Sequence, residues 1–238
     1  MRIEHIGDAT LYLGDCLEIL PTLGKVDCVV TDPPYGIGFN YGGPYVDAGG
    51  SAYVELLRPL CGYDLAILQY PEETMKYLVP LFGAPDECFV WAYNSNTARQ
   101  SRLVSFWGCD VDFSQVRVPP KNPLDIRVSS NVSHYDWCSD IQQVKNISAD
   151  KTDHPCQAPV ALFDRIIRFM PSASTILDPF MGSGTTGVAC ANLGRKFIGI
   201  EINEQYFDIA CKRVQKAYDQ PDLFVEPPAK AKQEAFDV

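Results

Sequence analysis

Histidine is scarce in this chain: three residues among 238, each isolated in sequence. Nine cysteines include no Cys-x-x-Cys pair and no histidine at zinc spacing, so zinc modules and thioredoxin-type redox motifs are excluded and no metal site is expected. An odd cysteine count with no signal-peptide pattern at the N-terminus leads us to expect reduced thiols and a cytoplasmic location. No stretch approaches the ~20 apolar residues that span a bilayer, so no membrane role is expected. Basic residues are also few. Lys and Arg number 20 against 30 Asp and Glu, a net charge of −10, which at first sight argues against a nucleic-acid partner because phosphates need cations. The deficit is uneven: residues 95–151 carry seven Lys/Arg against six Asp, a net +1 that leaves −11 for the rest. An apolar content of 46% supports one sizeable core with a small insert.

What is present concentrates in two places. Residues 26–31, Val-Asp-Cys-Val-Val-Thr, have the β-branched character of a buried strand. Asp32-Pro33-Pro34-Tyr35 must end it, because two prolines neither continue a ladder nor start a helix interior. The product is a stiff corner with an acid and an aromatic at a strand's C-terminal edge, where open α/β sheets keep their ligand crevices. A carboxylate, a proline carbonyl and a flat ring suit an amino group on a planar base. Taken alone, the tetrapeptide reads equally as a Pro-Pro turn.

The second place is Leu177-Asp178-Pro179-Phe180-Met181-Gly182-Ser183-Gly184-Thr185-Thr186-Gly187, with an apolar approach at Thr175 and Ile176. It reads as strand, glycine turn and small-residue helix, stopped by Gly194. A further strand from Lys196 to Ile200 runs into Glu201, 19 residues after Gly182. That is close to the ~20-residue spacing at which Rossmann-like units set a carboxylate on a ribose hydroxyl. No lysine follows the glycines, which excludes a triphosphate-binding P-loop.

Together the two motifs resemble the amino-methyltransferases that methylate exocyclic amines of DNA with S-adenosylmethionine. Asp-Pro-Pro-Tyr is the form usual for adenine N6 in that family, whereas serine in first place is commoner for cytosine N4. The catalytic motif precedes the cofactor motif, as in the β-group. Gly14-Asp15-Cys16-Leu17 and His154-Pro155-Cys156-Gln157-Ala158-Pro159 extend the similarity, which covers residues 11–35 and 152–214 well. The resemblance implies an α/β, Rossmann-like, seven-stranded methyltransferase sheet with permuted motif order and a small target-recognition insert. It implies catalytic roles for Asp32, Pro33, Pro34 and Tyr35, with Asp32 and the Pro33 carbonyl accepting the amine hydrogens and Tyr35 stacking on a flipped-out base. It further implies S-adenosylmethionine as cofactor, bound by Asp15, Asp178, Phe180, Gly182, Ser183, Gly184, Thr185 and Glu201. For Asp15 a turn-capping role is the equal rival. Ala158 departs from the pattern, standing where many relatives carry a lysine near the cofactor. Pro155-Cys156 also looks like the nucleophilic loop of cytosine-C5 methyltransferases, but those enzymes place the cofactor motif first and lack Asp-Pro-Pro-Tyr.

The expected division is a catalytic half at 1–93, a target-recognition insert at 94–151, a cofactor half at 152–219 and a disordered tail at 220–238. The glycine-rich stretch 36–45 suits either a flap closing over substrate or a surface loop. In the first half we read strands at 65–69 and 87–93 and a helix at 72–82 stopped by Gly83. In the insert, Arg117, Lys121 and Arg127 are candidate contacts to double-stranded DNA, with solvated surface charge the alternative reading. In the tail, Gln220-Pro221-Asp222-Leu223-Phe224 resembles the short peptide by which bacterial replication proteins dock on the sliding clamp. Alternatively, Leu223 and Phe224 pack back on the protein's own surface.

Overall fold

Strands covered by helices on both faces carry apolar residues on both faces, and the central strands here do. In β3 (Cys28–Thr31), Val29 and Val30 are both fully buried, and all five residues of β4 (Leu65–Gln69) are buried. The computed structural model describes residues 2–41, 46–92, 101–115 and 157–219. The other described strands are β1 (Arg2–Ile6), β2 (Ala9–Leu13), β5 (Glu87–Ala92), β6 (Ser101–Trp107), β7 (Thr175–Asp178) and β8 (Lys196–Glu201). They form one eight-stranded sheet in the order β1-β2-β8-β7-β3-β4-β6-β5. The middle five, β2, β8, β7, β3 and β4, are parallel, while β1, β6 and β5 join antiparallel at the edges.

Side-chain alternation splits the core into two layers. One face of the sheet packs α1 (Cys16–Ile19), α2 (Ser51–Leu57) and α3 (residues 71–82) through Ile19, Leu57 and Leu78 against Val29, Ile67, Leu177 and Ile200. The other packs α4 (Val160–Arg168), α5 (Thr185–Asn192) and α6 (Glu204–Asp219) through Phe163, Ala189 and Phe207 against Val30, Leu68 and Ile176. α4 starts directly after Pro159 and buries Leu162, Phe163, Ile166 and Ile167 on one face. Asn203 caps α6, its side-chain oxygen accepting the backbone N–H of Gln205 at 2.9 Å.

Two expectations need adjustment. The sheet has eight strands, not seven, because a tight turn at Gly7 (φ +55°) pairs β1 with β2 upstream of the motifs. The helix of residues 71–82 contains a wide π turn over Thr74–Leu78. Pro80 lacks an N–H and would clash with the carbonyl four residues back, so the ladder expands before it. Gly83 (φ +88°) does end the run. Part of the stretch 94–151, expected as the insert, is a strand: Ser101–Trp107 form β6. β6 lies between β4 and β5, with Phe106 fully buried, and belongs to the central sheet. Phe113 then packs edge-on against Phe169 at 4.9 Å.

Candidate active site

From β3 the chain crosses to β4 on one side, and from β7 it crosses to β8 on the other. The gap between the C-terminal ends of β3 and β7 is therefore the switch point at which open α/β sheets bind ligands. Both sequence motifs end there. Asp32 follows the last residue of β3, Asp178 is the last residue of β7, and both line one cavity of about 250 Å³.

On the β7 side the turn is braced from within. Asp178 is 2% exposed, and its carboxylate accepts the hydroxyls of Thr31 (2.6 Å) and Thr186 (2.5 Å) and the N–H of Phe180 (3.1 Å). It thereby ties β3, the turn and α5 together. Burial raises its pKa to about 6 against the pull of these donors. Glu201 accepts the N–H of Gly182 on one oxygen (2.9 Å) and that of Asn203 on the other (2.7 Å). Burial lifts its pKa to about 7. The N–H of Ile202 also favours the charged carboxylate, whose roughly four lone-pair sites exceed these three donors. Phe180, Gly182, Ser183, Thr185 and Glu201 all line the cavity.

Gly184 does not. It adopts a left-handed conformation (φ +80°) at the start of α5, and a Cβ there would lie 2.9 Å from Ala210 Cβ on α6. Its place in the motif serves helix packing. Asp15 occupies both positions considered for it: its side chain caps α1 by accepting the N–H of Leu17 at 2.8 Å, and it lines the cavity. Ala158 is buried in the cavity wall. Loop anchoring in this region comes from Arg213 of α6, whose buried guanidinium donates to Ser183 O (2.7 Å), Ser183 Oγ (3.0 Å) and Thr185 Oγ1 (3.2 Å). No motif marks Arg213 in the sequence.

On the β3 side, Pro33 and Pro34 join Asp32 and Tyr35 in the cavity wall. Tyr35 is only 4% exposed, and its hydroxyl donates a short hydrogen bond to Asp32 Oδ1. Its ring meets Tyr70 edge-on at 4.9 Å, and the Arg102 guanidinium lies 4.9 Å from its centroid. Arg102 Nη1 is 3.4 Å from Asp32 Oδ2. Burial raises the Asp32 pKa, with Arg102 and the Tyr35 hydroxyl pulling the other way. In this conformation Tyr35 lines the cavity with its hydroxyl on Asp32 and its ring between Tyr70 and Arg102.

The loop after Tyr35 is pinned by a residue that no motif signalled. Asp47 is 3% exposed and accepts the N–H groups of Gly36 (2.7 Å), Ile37 (3.1 Å) and Phe39 (2.9 Å). The Tyr206 hydroxyl donates to the Tyr41 carbonyl, and both tyrosines line the cavity. Residues 36–41 thus bridge the Asp32–Tyr35 corner and α6. Arg117, Lys121, Arg127, Cys156 and Gln220–Phe224 lie outside the described residues. Among the described residues, no group of three His, Cys, Asp or Glu could hold a metal, and no helix is long and apolar enough to cross a membrane.

Comparison with known proteins agrees with this geometry. The N6/N4 DNA methylase family matches residues 64–212. The type II methyltransferase M.ScaI of Streptomyces caespitosus is 29% identical, over 87% of this chain and 82% of its own length. The DNA adenine methyltransferase YhdJ of Escherichia coli is 28% identical, over 87% and 83%. The M1.HpyAVI–SAM complex superposes with a TM-score of 0.55 at 26% identity, covering 86% of this chain and 99% of that one. The cytosine-N4-specific PvuII DNA methyltransferase shares the fold, with a TM-score of 0.60 at 18% identity over 90% of this chain and 92% of its own. With its permuted motifs meeting at one switch point, the chain belongs to the N6/N4 DNA methylase family of S-adenosylmethionine-dependent amino-methyltransferases, β-group.

Proposed function

We propose that this protein methylates N6 of adenine in double-stranded DNA, acting on a base flipped out of the helix. The observation that carries the reading is that the Asp32-Pro33-Pro34-Tyr35 corner and the Gly182/Glu201 unit line the same cavity. Aspartate in the first motif position and the similarity to an adenine methyltransferase favour N6 over N4.

The residues present fit the cofactor. Glu201 keeps acceptor capacity beyond its backbone partners Gly182, Asn203 and Ile202 and would hold a ribose hydroxyl. Phe180 offers an apolar wall, and Asp15 an acceptor for an adenine amine. The bound cofactor supplies an electrophilic methyl group on a sulfonium. The chain's part is to position and stabilise. Asp32 and the Pro33 carbonyl accept the two N–H hydrogens of the target amine, which directs its lone pair away from them and favours the positive charge that develops on nitrogen. The amine displaces the Tyr35 hydroxyl from Asp32 Oδ1 as it enters. Tyr35, released from that bond, can then lie against the flipped base, a contact worth roughly 1–3 kcal/mol. No covalent enzyme intermediate is needed.

The test is incubation with labelled S-adenosylmethionine and mixed-sequence duplex DNA, followed by nucleoside analysis. Labelled 6-methyladenine is the expected product, and its loss in Asp32→Ala is expected as well. Label in 4-methylcytosine alone would transfer the assignment to cytosine. Modified-base sequencing of DNA from expressing cells would also give the recognition site.

A further inference from the structure

Arg102 stands 70 residues from Asp32 in sequence, on a strand that no motif marks, yet it reaches the catalytic corner. The reason is topological. β6 runs antiparallel to β4 with Leu103 opposite Gln69, so the start of β6 lies at the same sheet edge as the end of β3. The residue is 9% exposed. Its guanidinium lies 4.9 Å from the Tyr35 ring centroid, 5.4 Å from Tyr70 and 5.6 Å from Trp91, with Nη1 3.4 Å from Asp32 Oδ2. Three rings and one carboxylate restrict the guanidinium to few positions.

We propose that Arg102 is a positioning residue for methyl transfer, its boxed guanidinium supplying the fixed positive charge that keeps the Asp32 carboxylate an acceptor aimed at the target amine. The inference rests on the function proposed above. A buried carboxylate without a counter-ion takes up a proton, and a protonated Asp32 loses acceptor capacity and cannot favour a developing cation. Arginine stays charged at any working pH. Its contact with Asp32 runs through one nitrogen and is longer than the ~2.7–2.9 Å of a tight charge-assisted bond. Oδ1, on the Tyr35 side, therefore stays basic and accessible to exchange. Among the described residues, the other titratable groups around this pair are Tyr35 itself, Tyr70 against both Tyr35 and Arg102, Tyr41 in the loop beyond and Asp178 of β7, which shares the switch point. None of these supplies a second positive charge.

The experiment is single-turnover methylation of duplex DNA between pH 5.5 and 9.5 by the wild type, Arg102→Gln and Arg102→Lys, with cofactor affinity measured alongside. Arg102→Gln is expected to move the acidic limb of the rate profile upward by about 1–3 pH units. Each unit by which the limb stands above the assay pH removes about tenfold in rate, so a large deficit at pH 7 should shrink by pH 9. Cofactor affinity should stay within about twofold, because Arg102 does not line the cofactor cavity. Arg102→Lys should restore the wild-type limb. A uniform loss at every pH in Arg102→Gln would mean a purely structural role and overturn the proposal, as would an unchanged profile. If the variants do not fold, carbon NMR titration of Asp32 in the wild type decides: an ionised carboxyl at pH 7 supports the proposal, and a protonated one overturns it. Absence of any methylation by the wild type would instead remove the function itself, and this inference with it.

Discussion

Glu201 should make cofactor binding depend on pH in a direction that the structure specifies. In the free protein burial holds its pKa at about 7, against an ordinary 4.5, so a large share of molecules carry a proton on it at neutral pH. A ribose hydroxyl donating to its carboxylate would favour the charged form and lower that pKa on binding. Binding then requires loss of the proton, and the Kd for S-adenosylmethionine should rise as pH falls through about 7, approaching tenfold per unit. Asp178, with its pKa at about 6, also lies in the cavity wall, so the variant Glu201→Gln is needed to isolate Glu201. Glutamine keeps one acceptor oxygen and sets an NH2 group against the second backbone N–H, from either Gly182 or Asn203. With the charge gone, the hydrogen bond that a ribose hydroxyl would make to the carboxylate is lost on binding, worth ~1.5–3 kcal/mol. The Kd at pH 8 should therefore rise by roughly 10- to 150-fold, and most of the pH dependence should vanish. Calorimetric titration from pH 5.5 to 8.5 reads both. A wild-type Kd that stays flat over that range, or Glu201→Gln binding as tightly as wild type, would refute the placement of Glu201 on the ribose.

Other consequences can be measured directly. Because Asp178 and Glu201 both have raised pKa values when folded, their stabilising contribution is present at low pH and lost as pH rises through about 6 and 7. In thermal melts of the free protein these groups should favour pH 5 over pH 8, and saturating cofactor should reduce that difference. Gly184→Ala combines a left-handed backbone with a Cβ 2.9 Å from Ala210, so a loss of about 2 kcal/mol or more is expected, or ~4–8 °C in Tm. A Tm within 1 °C of wild type would argue against tight α5–α6 packing. Asp47→Ala leaves the N–H groups of Gly36, Ile37 and Phe39 without their acceptor. Methylation should fall at least tenfold while cofactor Kd changes little, and steady-state kinetics beside calorimetry separates the two. Tyr35→Phe removes the hydroxyl that occupies Asp32 and should keep activity within about tenfold. Tyr35→Ala, which loses the ring, should cost roughly 5- to 150-fold.

Much of the scaffold was legible because its signals are local. Thr31 to Tyr35 had to be a strand end, since two prolines stop a ladder whatever surrounds them. The unit from Thr175 to Glu201 carries strand, turn, helix and strand in consecutive residues, and it folds as read. The strand β6 was missed because Ser101 to Trp107 mixes an arginine and two serines with its apolar residues, a pattern that makes sense only between two other strands. Asp47 was missed for a related reason: an aspartate whose partners are backbone N–H groups 8–11 residues away leaves no periodic trace.

The sequence alone determined the chemistry at each end of the site, a carboxylate on a proline corner and a glycine turn followed by an acid, because bond geometry and residue type suffice for those. Only the tertiary structure decided how they meet. The reversal of strand order between β3 and β7 brings Asp32 and Asp178, 146 positions apart in the numbering, to the rim of one cavity. The same sheet carries Arg102 to Asp32 and turns Tyr35 inward against it. Such contacts depend on which strands become neighbours, and that is settled by packing the whole core rather than by any segment of it.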